Sequence, residues 1–235
     1  MKRALRIVVL TAAVAVGLAV VSPAGSANEC DGLQVCVPVA GPWVVMPASG
    51  GAARPEVAWQ LTCPRNYIVG GLDARLTRRA IDVSFLGLLG SPVNPGITTS
   101  RSVTFVAKHV GRSSGSSSFK PYIGCMPAQG GGTRVPTSVS VFPPGQPVTR
   151  RAKSVRVRPG TTSVRFECRS GERLVGASHA FGFFTRTPPG ASLVSSVSGS
   201  RAVRSGEIRV TVRGDAELQG VRGVLQIQAV CARQR

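Results

Sequence analysis

The sequence predicts an all-β protein of two tandem, disulfide-stapled, β-sandwich-like repeats, and three observations carry that prediction. Short apolar runs alternate with polar residues at period two, and no stretch sustains a helical period. Glycine occurs 28 times and proline 17 times, so the runs are cut into the short, evenly spaced strands typical of sandwiches and barrels. The chain also repeats itself. Trp59-Gln60-Leu61-Thr62-Cys63-Pro64 leads to Ile68-Val69-Gly70-Gly71, and Val164-Arg165-Phe166-Glu167-Cys168-Arg169 leads to Leu174-Val175-Gly176-Ala177. Each copy closes on a further cysteine, 62 positions on at Cys125 and 63 positions on at Cys231. Upstream, residues 35–41 match residues 139–145, so the offset drifts from 104 to 106 along the chain.

These observations divide the chain into a signal segment at 1–27, a first repeat at 28–126, a linker at 127–137 and a second repeat at 138–235. The alternative layout is one pseudo-symmetric structure to which each repeat contributes half the strands. Lys2, Arg3 and Arg6 precede an uncharged apolar run from Ile7 to Val21, and small residues follow to Ala27. That run is short for a membrane span and reads as a secretory signal, with no transmembrane segment expected in the mature chain. All six cysteines fall beyond it, and an even count in an exported chain reads as disulfides. If each repeat is self-contained, Cys63 pairs with Cys125 and Cys168 with Cys231, which leaves Cys30 with Cys36.

Taken in order, the expected strands begin with Val35-x-Val37-x-Val39, ended by Gly41-Pro42, and continue with 43–46. Val57-x-Trp59-x-Leu61-x-Cys63 alternates cleanly, with Trp59 and Cys63 on the core face. A short strand at 67–71 ends in glycines; residues 73–81 read as one helical turn or a polar strand, followed by a strand at 81–85. Val103-x-Phe105-x-Ala107 and 122–125 complete the first repeat. The second repeat is expected to replay it through 139–142, 155–157, 164–168, 174–175, 180–184, 193–197, 208–212 and 224–231.

Charge is unevenly spread. Residues 28–137 hold 10 basic and 5 acidic side chains, a net +5, whereas residues 138–235 hold 16 and 5, a net +11. A surface this basic attracts polyanions, and arginine favours bidentate contact with carboxylate and phosphate. The densest stretch supplies the candidate binding residues Arg150, Arg151, Lys153, Arg156 and Arg158. The candidate partners are an anionic cell-wall polymer, an acidic polysaccharide or lipid headgroups. Specific nucleic-acid binding is not expected, because no aromatic is interleaved with these residues to stack on bases.

No catalytic constellation stands out. His179 sits among aromatics beside Ser178, but neighbours on a strand face opposite ways. Asp73 and Asp82 could in principle form a glycosidase pair, although Arg75, Arg78 and Arg79 lie between them. Gly111-Arg112-Ser113-Ser114-Gly115 spells a nucleophile-elbow pattern in a Ser/Gly tract, without the strand and helix that the motif needs. Arg213-Gly214-Asp215 reads as a hairpin turn. With no Cys-x-x-Cys and two scattered histidines, neither a metal nor a cofactor is expected.

Trp59-x-x-x-Cys63-Pro64 with Gly70-Gly71, and residues 214–222 ahead of Cys231, resemble motifs of the vitelline membrane outer layer family, a β-prism of repeated sheets. The resemblance implies an extracellular, glycan-associated role and transfers no site residue. It departs from the family in the nine positions from Arg222 to Cys231 and in placing the two motifs in different repeats. The expected function is therefore that of a secreted or envelope-associated, non-enzymatic β protein binding an anionic polymer. The alternatives are a hydrolase of wall or matrix polysaccharide, or a secreted inhibitor or effector scaffold.

Overall fold

The computed structural model describes residues 29–31, 33, 35–47, 56–86, 90–91, 101–110, 117–128, 137–138, 148–204 and 206–233. The expected signal segment, the 111–115 stretch and the expected strand at 139–142 lie outside them. The chain is all-β and its ladders are antiparallel. The first half contributes β1 (Val37–Ala40), β2 (Trp43–Met46), β3 (Val57–Thr62), β4 (Tyr67–Leu76), β5 (Ile81–Leu86), β6 (Gly90–Ser91), β7 (Ser102–His109) and β8 (Ser117–Pro127). A short β9 (Thr137–Ser138) pairs with β6. The second half contributes β10 (Val148–Val157), β11 (Gly160–Glu167), β12 (Glu172–Phe183), a one-turn helix α1 (Ala191–Ser195), β13 (Val197–Arg204), β14 (Glu207–Gly214) and β15 (Gly223–Arg233).

The same pairing scheme occurs in both halves. β8 lies between β4 and the β1/β2 ribbon as β15 lies between β12 and β10, and β7 lies between β3 and β5 as β14 lies between β11 and β13. Finer details recur too. β4 is bulged between Val69 and Gly71, β12 between Leu174 and Gly176, and the turns entering these strands put Asn66 and Gly171 at φ 65° and 78°. These registers set Gly71 against Gly176, one residue away from the match read off the sequence. Val37 opposes Cys125 and Thr149 opposes Cys231, so β10 takes the place of β1 in the second half, and residues 139–145, matched to 35–41 in the sequence, lie outside the described residues.

Alternation explains the strands. Ile208, Val210 and Val212 of β14 are buried while Arg209, Thr211 and Arg213 face out, and Val57, Trp59 and Leu61 do the same for β3. Two apolar clusters result. One holds Trp59, Phe105, Phe119 and Ile123, the other Phe183, Ile208, Leu225 and Ile227, each such side chain contributing about 1.5–3 kcal/mol when removed from water. Disulfides Cys63–Cys125 and Cys168–Cys231 tie the two sheets of each half together, and Cys30–Cys36 closes a small loop. The Glu29 backbone crosses the sheet over Gly71 and Gly124, which oppose each other; a Cβ on either would run into the Glu29 carbonyl.

The halves are joined through β2. It pairs with β8 along Val44–Met46 and with β12 through Val44 to Gly182 and Trp43 to Phe183, so a seven-stranded sheet runs through both. Ala180 and Val224 of the second half enter the core cluster of the first. Gly182 is required at this seam, because a Cβ there would lie 2.5 Å from Pro42 and 3.1 Å from Trp59.

One expected strand is corrected. Residues 193–197 were expected as a strand but begin with α1, where Val194 N–H donates to Gly190 at 3.0 Å and Ser196 N–H to Ser192 at 2.9 Å. Adjacent Leu193 and Val194 are both half-buried, as one helical turn allows. Of the two readings of 73–81, the strand holds over 73–76, which continue β4, and 77–80 form the turn into β5.

Candidate functional site

β10 is an edge strand, paired only with β15, and its basic residues divide between its two faces. Arg151 and Lys153 share a face with Val155 and Val157, which pack on the second core cluster. Arg151 donates to Glu172 at 2.7 and 3.3 Å, and Lys153 to the Arg165 carbonyl at 3.1 Å. The Arg151 hydrogen bond is the main reason the Glu172 carboxyl titrates below the usual carboxylate range, helped by the Arg169 N–H and opposed by burial. Arg150 and Arg156 stand on the other face with Ala152 and Ser154. Arg158 follows the strand. All three are exposed and make no ion pair among the described residues.

The face bearing Arg150 and Arg156 meets the first half. There the side chain of Gln226 reads the backbone of β3: Gln60 N–H donates to Gln226 Oε1 at 2.6 Å, and Gln226 Nε2 donates to Gln60 O at 3.0 Å. Gln226 Nε2 also reaches Ser154 Oγ at 3.2 Å, while Gln228 Nε2 donates to Gln226 Oε1 at 3.0 Å. This amide satisfies backbone groups on the β3 edge that β7 does not use, sealing an edge that would otherwise invite pairing. Beside this clamp lies a groove of about 360 Å³. Its first-half wall includes Val39, Pro42 and Leu61, and its second-half wall includes Ser154, Phe184 and Arg222. Arg222 stacks over the Phe184 ring with its guanidinium carbon 4.4 Å from the centroid.

A second basic surface is the solvent face of the β11–β14–β13 sheet. Register places Thr161, Arg213 and Ser198 in one row, Ser163, Thr211 and Ser200 in the next, then Arg165, Arg209 and Ala202, and finally Glu167, Glu207 and Arg204. Glu207 engages Arg209 at 3.2 Å and Arg165 at 3.7 Å. Arg204 and Arg213 are exposed and make no ion pair among the described residues. β13 was not expected from the sequence.

The residues considered for catalysis are not assembled. Asp73 alternates with Leu72 and Ala74, which pack on the first core, and Asp82 alternates with Ile81 and Val83, which do the same. Their strands belong to opposite sheets, so both carboxylates point outward, on either side of layers packed ~10 Å apart. Asp82 lies 3.7 Å from Lys108. His179 is on β12, separated from β4 by β8 and β2. It meets Phe181 edge-on at 5.7 Å, and its Nδ1 is buried without a hydrogen-bond partner. Burial first, and the Arg201 charge second, push its pKa below the ordinary imidazole value. His109 is buried, with Nε2 3.1 Å from the Pro47 carbonyl oxygen.

Asp215 of the Arg213-Gly214-Asp215 stretch caps a 3-10 turn at Ala216–Leu218, accepting from Glu217 N–H at 3.0 Å, so a helix cap stands where a hairpin turn was expected. Among the described residues, the ligand-type cluster Cys168, Glu172 and Cys231 has its sulfurs in a disulfide and its carboxylate on Arg151. No helix among the described residues is long and apolar enough to cross a membrane.

Comparison with known protein families, curated proteins and solved structures finds no match. The resemblance to the vitelline membrane outer layer family draws no support from these comparisons.

Proposed function

We propose that this is a secreted or envelope-associated, non-enzymatic binding protein whose second half docks on an anionic polymer. The observation that carries this reading is that exposed guanidinium groups of the second half lack an acidic partner among the described residues, among them Arg150, Arg156 and Arg158 around β10, and Arg204 and Arg213 on the outer sheet. Unneutralised arginines on a rigid β scaffold attract polyanions at long range and bind carboxylate or phosphate bidentately. Three disulfides fit an oxidising compartment. A hydrolase reading draws no support from two carboxylates on opposite outer faces.

The test is retention of the oxidised protein on isolated cell envelope and on heparin across a salt series. It would be run beside one variant with Arg150, Arg156 and Arg158 changed to serine and another with Arg204 and Arg213 changed to serine. Arg151 is left intact because it holds Glu172. Charge-driven retention weakens as the screening length falls from about 10 Å at 0.1 M salt to about 3 Å at 1 M, and at least one variant should elute earlier. Salt-insensitive retention, unchanged in both variants, would remove the proposal.

A further inference from the structure

The groove between the halves has a chemistry the rest of the basic surface lacks. Its first-half wall is mixed: Val39, Pro42 and Leu61 supply an apolar patch, and Gln60 and Thr62 lie beside it. Its opposite side carries Arg222, Ser154 and a Phe184 ring that is 39% exposed. Arg156 stands two residues from Ser154 on the same strand face, opposite Val224, which also lines the groove. No Asp or Glu lines it among the described residues. A volume of about 360 Å³ falls within the ~300–1,000 Å³ of small-molecule sites.

The Arg222 guanidinium is positioned by its stack on Phe184. A stacked guanidinium presents its N–H donors in its own plane, where a planar carboxylate meets them as a two-bond fork. A ligand suited to this place joins a carboxylate to a compact body with one apolar face and several hydroxyls. A hexuronic acid has that composition: its ring C–H face suits the Pro42 and Leu61 wall, its hydroxyls suit Ser154, and its carboxylate suits Arg222 with Arg156 near. A bare phosphodiester polymer lacks the apolar face.

We propose that the groove between the two halves binds a uronic-acid unit of an acidic polysaccharide, with Arg222 as the carboxylate-binding residue and Phe184 as the residue that orients it. This deepens the polymer-binding reading and rests on it. The outer-sheet arginines would supply non-specific attraction, and the groove would supply selectivity for sugar acids over other polyanions.

The test is titration of the oxidised protein with trigalacturonate, galactotriose, polyphosphate and anionic lipid vesicles, followed by Trp59 at the groove floor in a two-dimensional NMR spectrum of indole resonances. Trigalacturonate should move the Trp59 signal saturably, while galactotriose at the same concentration should not. Arg222→Ala and Phe184→Ala should each weaken that binding at least tenfold. A variant with Arg204 and Arg213 changed to serine should bind the trisaccharide as before while eluting earlier from heparin. Because the wild-type titration stands without any variant, an unfolded variant does not decide the matter. If trigalacturonate leaves Trp59 unmoved while envelope retention persists, the groove assignment is wrong and the polymer reading survives. If retention is absent as well, both fail. Equal, Arg222-dependent binding of polyphosphate or vesicles would overturn the sugar-acid assignment.

Discussion

The Gln226 clamp makes the coupling between the halves measurable. Gln226→Leu keeps much of the side-chain volume and deletes the amide. The substitution strands Gln60 N–H, Gln60 C=O and Gln228 Nε2, which bond to Gln226 at 2.6, 3.0 and 3.0 Å. A buried polar group that loses its partner costs about 1–3 kcal/mol. The groove gives water some access to Gln60, so the low end applies, or roughly 3 kcal/mol for three groups. The added apolar surface of leucine offsets about 1 kcal/mol, leaving a net loss of about 2 kcal/mol. In urea, with m at about 2–3 kcal/mol/M for a chain of this size, the midpoint should fall by roughly 1 M. The assay is equilibrium unfolding of the oxidised protein, followed by tryptophan fluorescence and by far-ultraviolet circular dichroism. Coincident transitions are expected in the wild type, because β2 and Gln226 tie both halves into one unit. A loss below about 0.5 kcal/mol would show that water replaces the amide and that the clamp does not hold the halves together.

Replacing Cys168 and Cys231 together by alanine opens a 63-residue span and should lower stability by about 4 kcal/mol in the chain-entropy account; an unchanged urea midpoint would contradict it. His179 should titrate below 6.5 in a pH series of imidazole NMR shifts, and Arg201→Gln should raise its midpoint only partly, because burial is the larger cause. Its folded-state pKa lies below the unfolded one, so its stabilising contribution is present above pH 6.5 and is lost as pH falls toward the folded value. Glu172 behaves likewise in a lower window. Its folded pKa is depressed below 4.5, so its contribution is lost as pH falls through that depressed value, and Arg151→Ser should flatten the acid limb of a melting-temperature profile. Gly182→Ala should destabilise by about 1–3 kcal/mol through overpacking against Pro42 and Trp59, read as a lower urea midpoint.

What could be read from the sequence divides along a physical line. Strands with one buried face, such as β3 and β14, announce themselves because alternation follows directly from the pleat. β13 does not, since Ser198 to Arg204 bury almost nothing and the strand is held by its ladder to β14. β15 fails in the opposite way. It is covered on both faces, so Gln226 and Gln228, which alternation would send to solvent, are buried and bonded to one another and to β3. The candidate site suffers from the same blindness. Arg150 to Arg158 form one basic run in sequence, but a strand sends consecutive side chains to opposite faces, so Arg151 closes an internal ion pair while Arg156 stands beside the groove. Phe184 and Arg222 are 38 positions apart and come together because β12 and β15 are paired neighbours, with Phe183 opposite Gly223. A site assembled across the seam of two similar halves has no contiguous motif, and only the register of the strands reveals it.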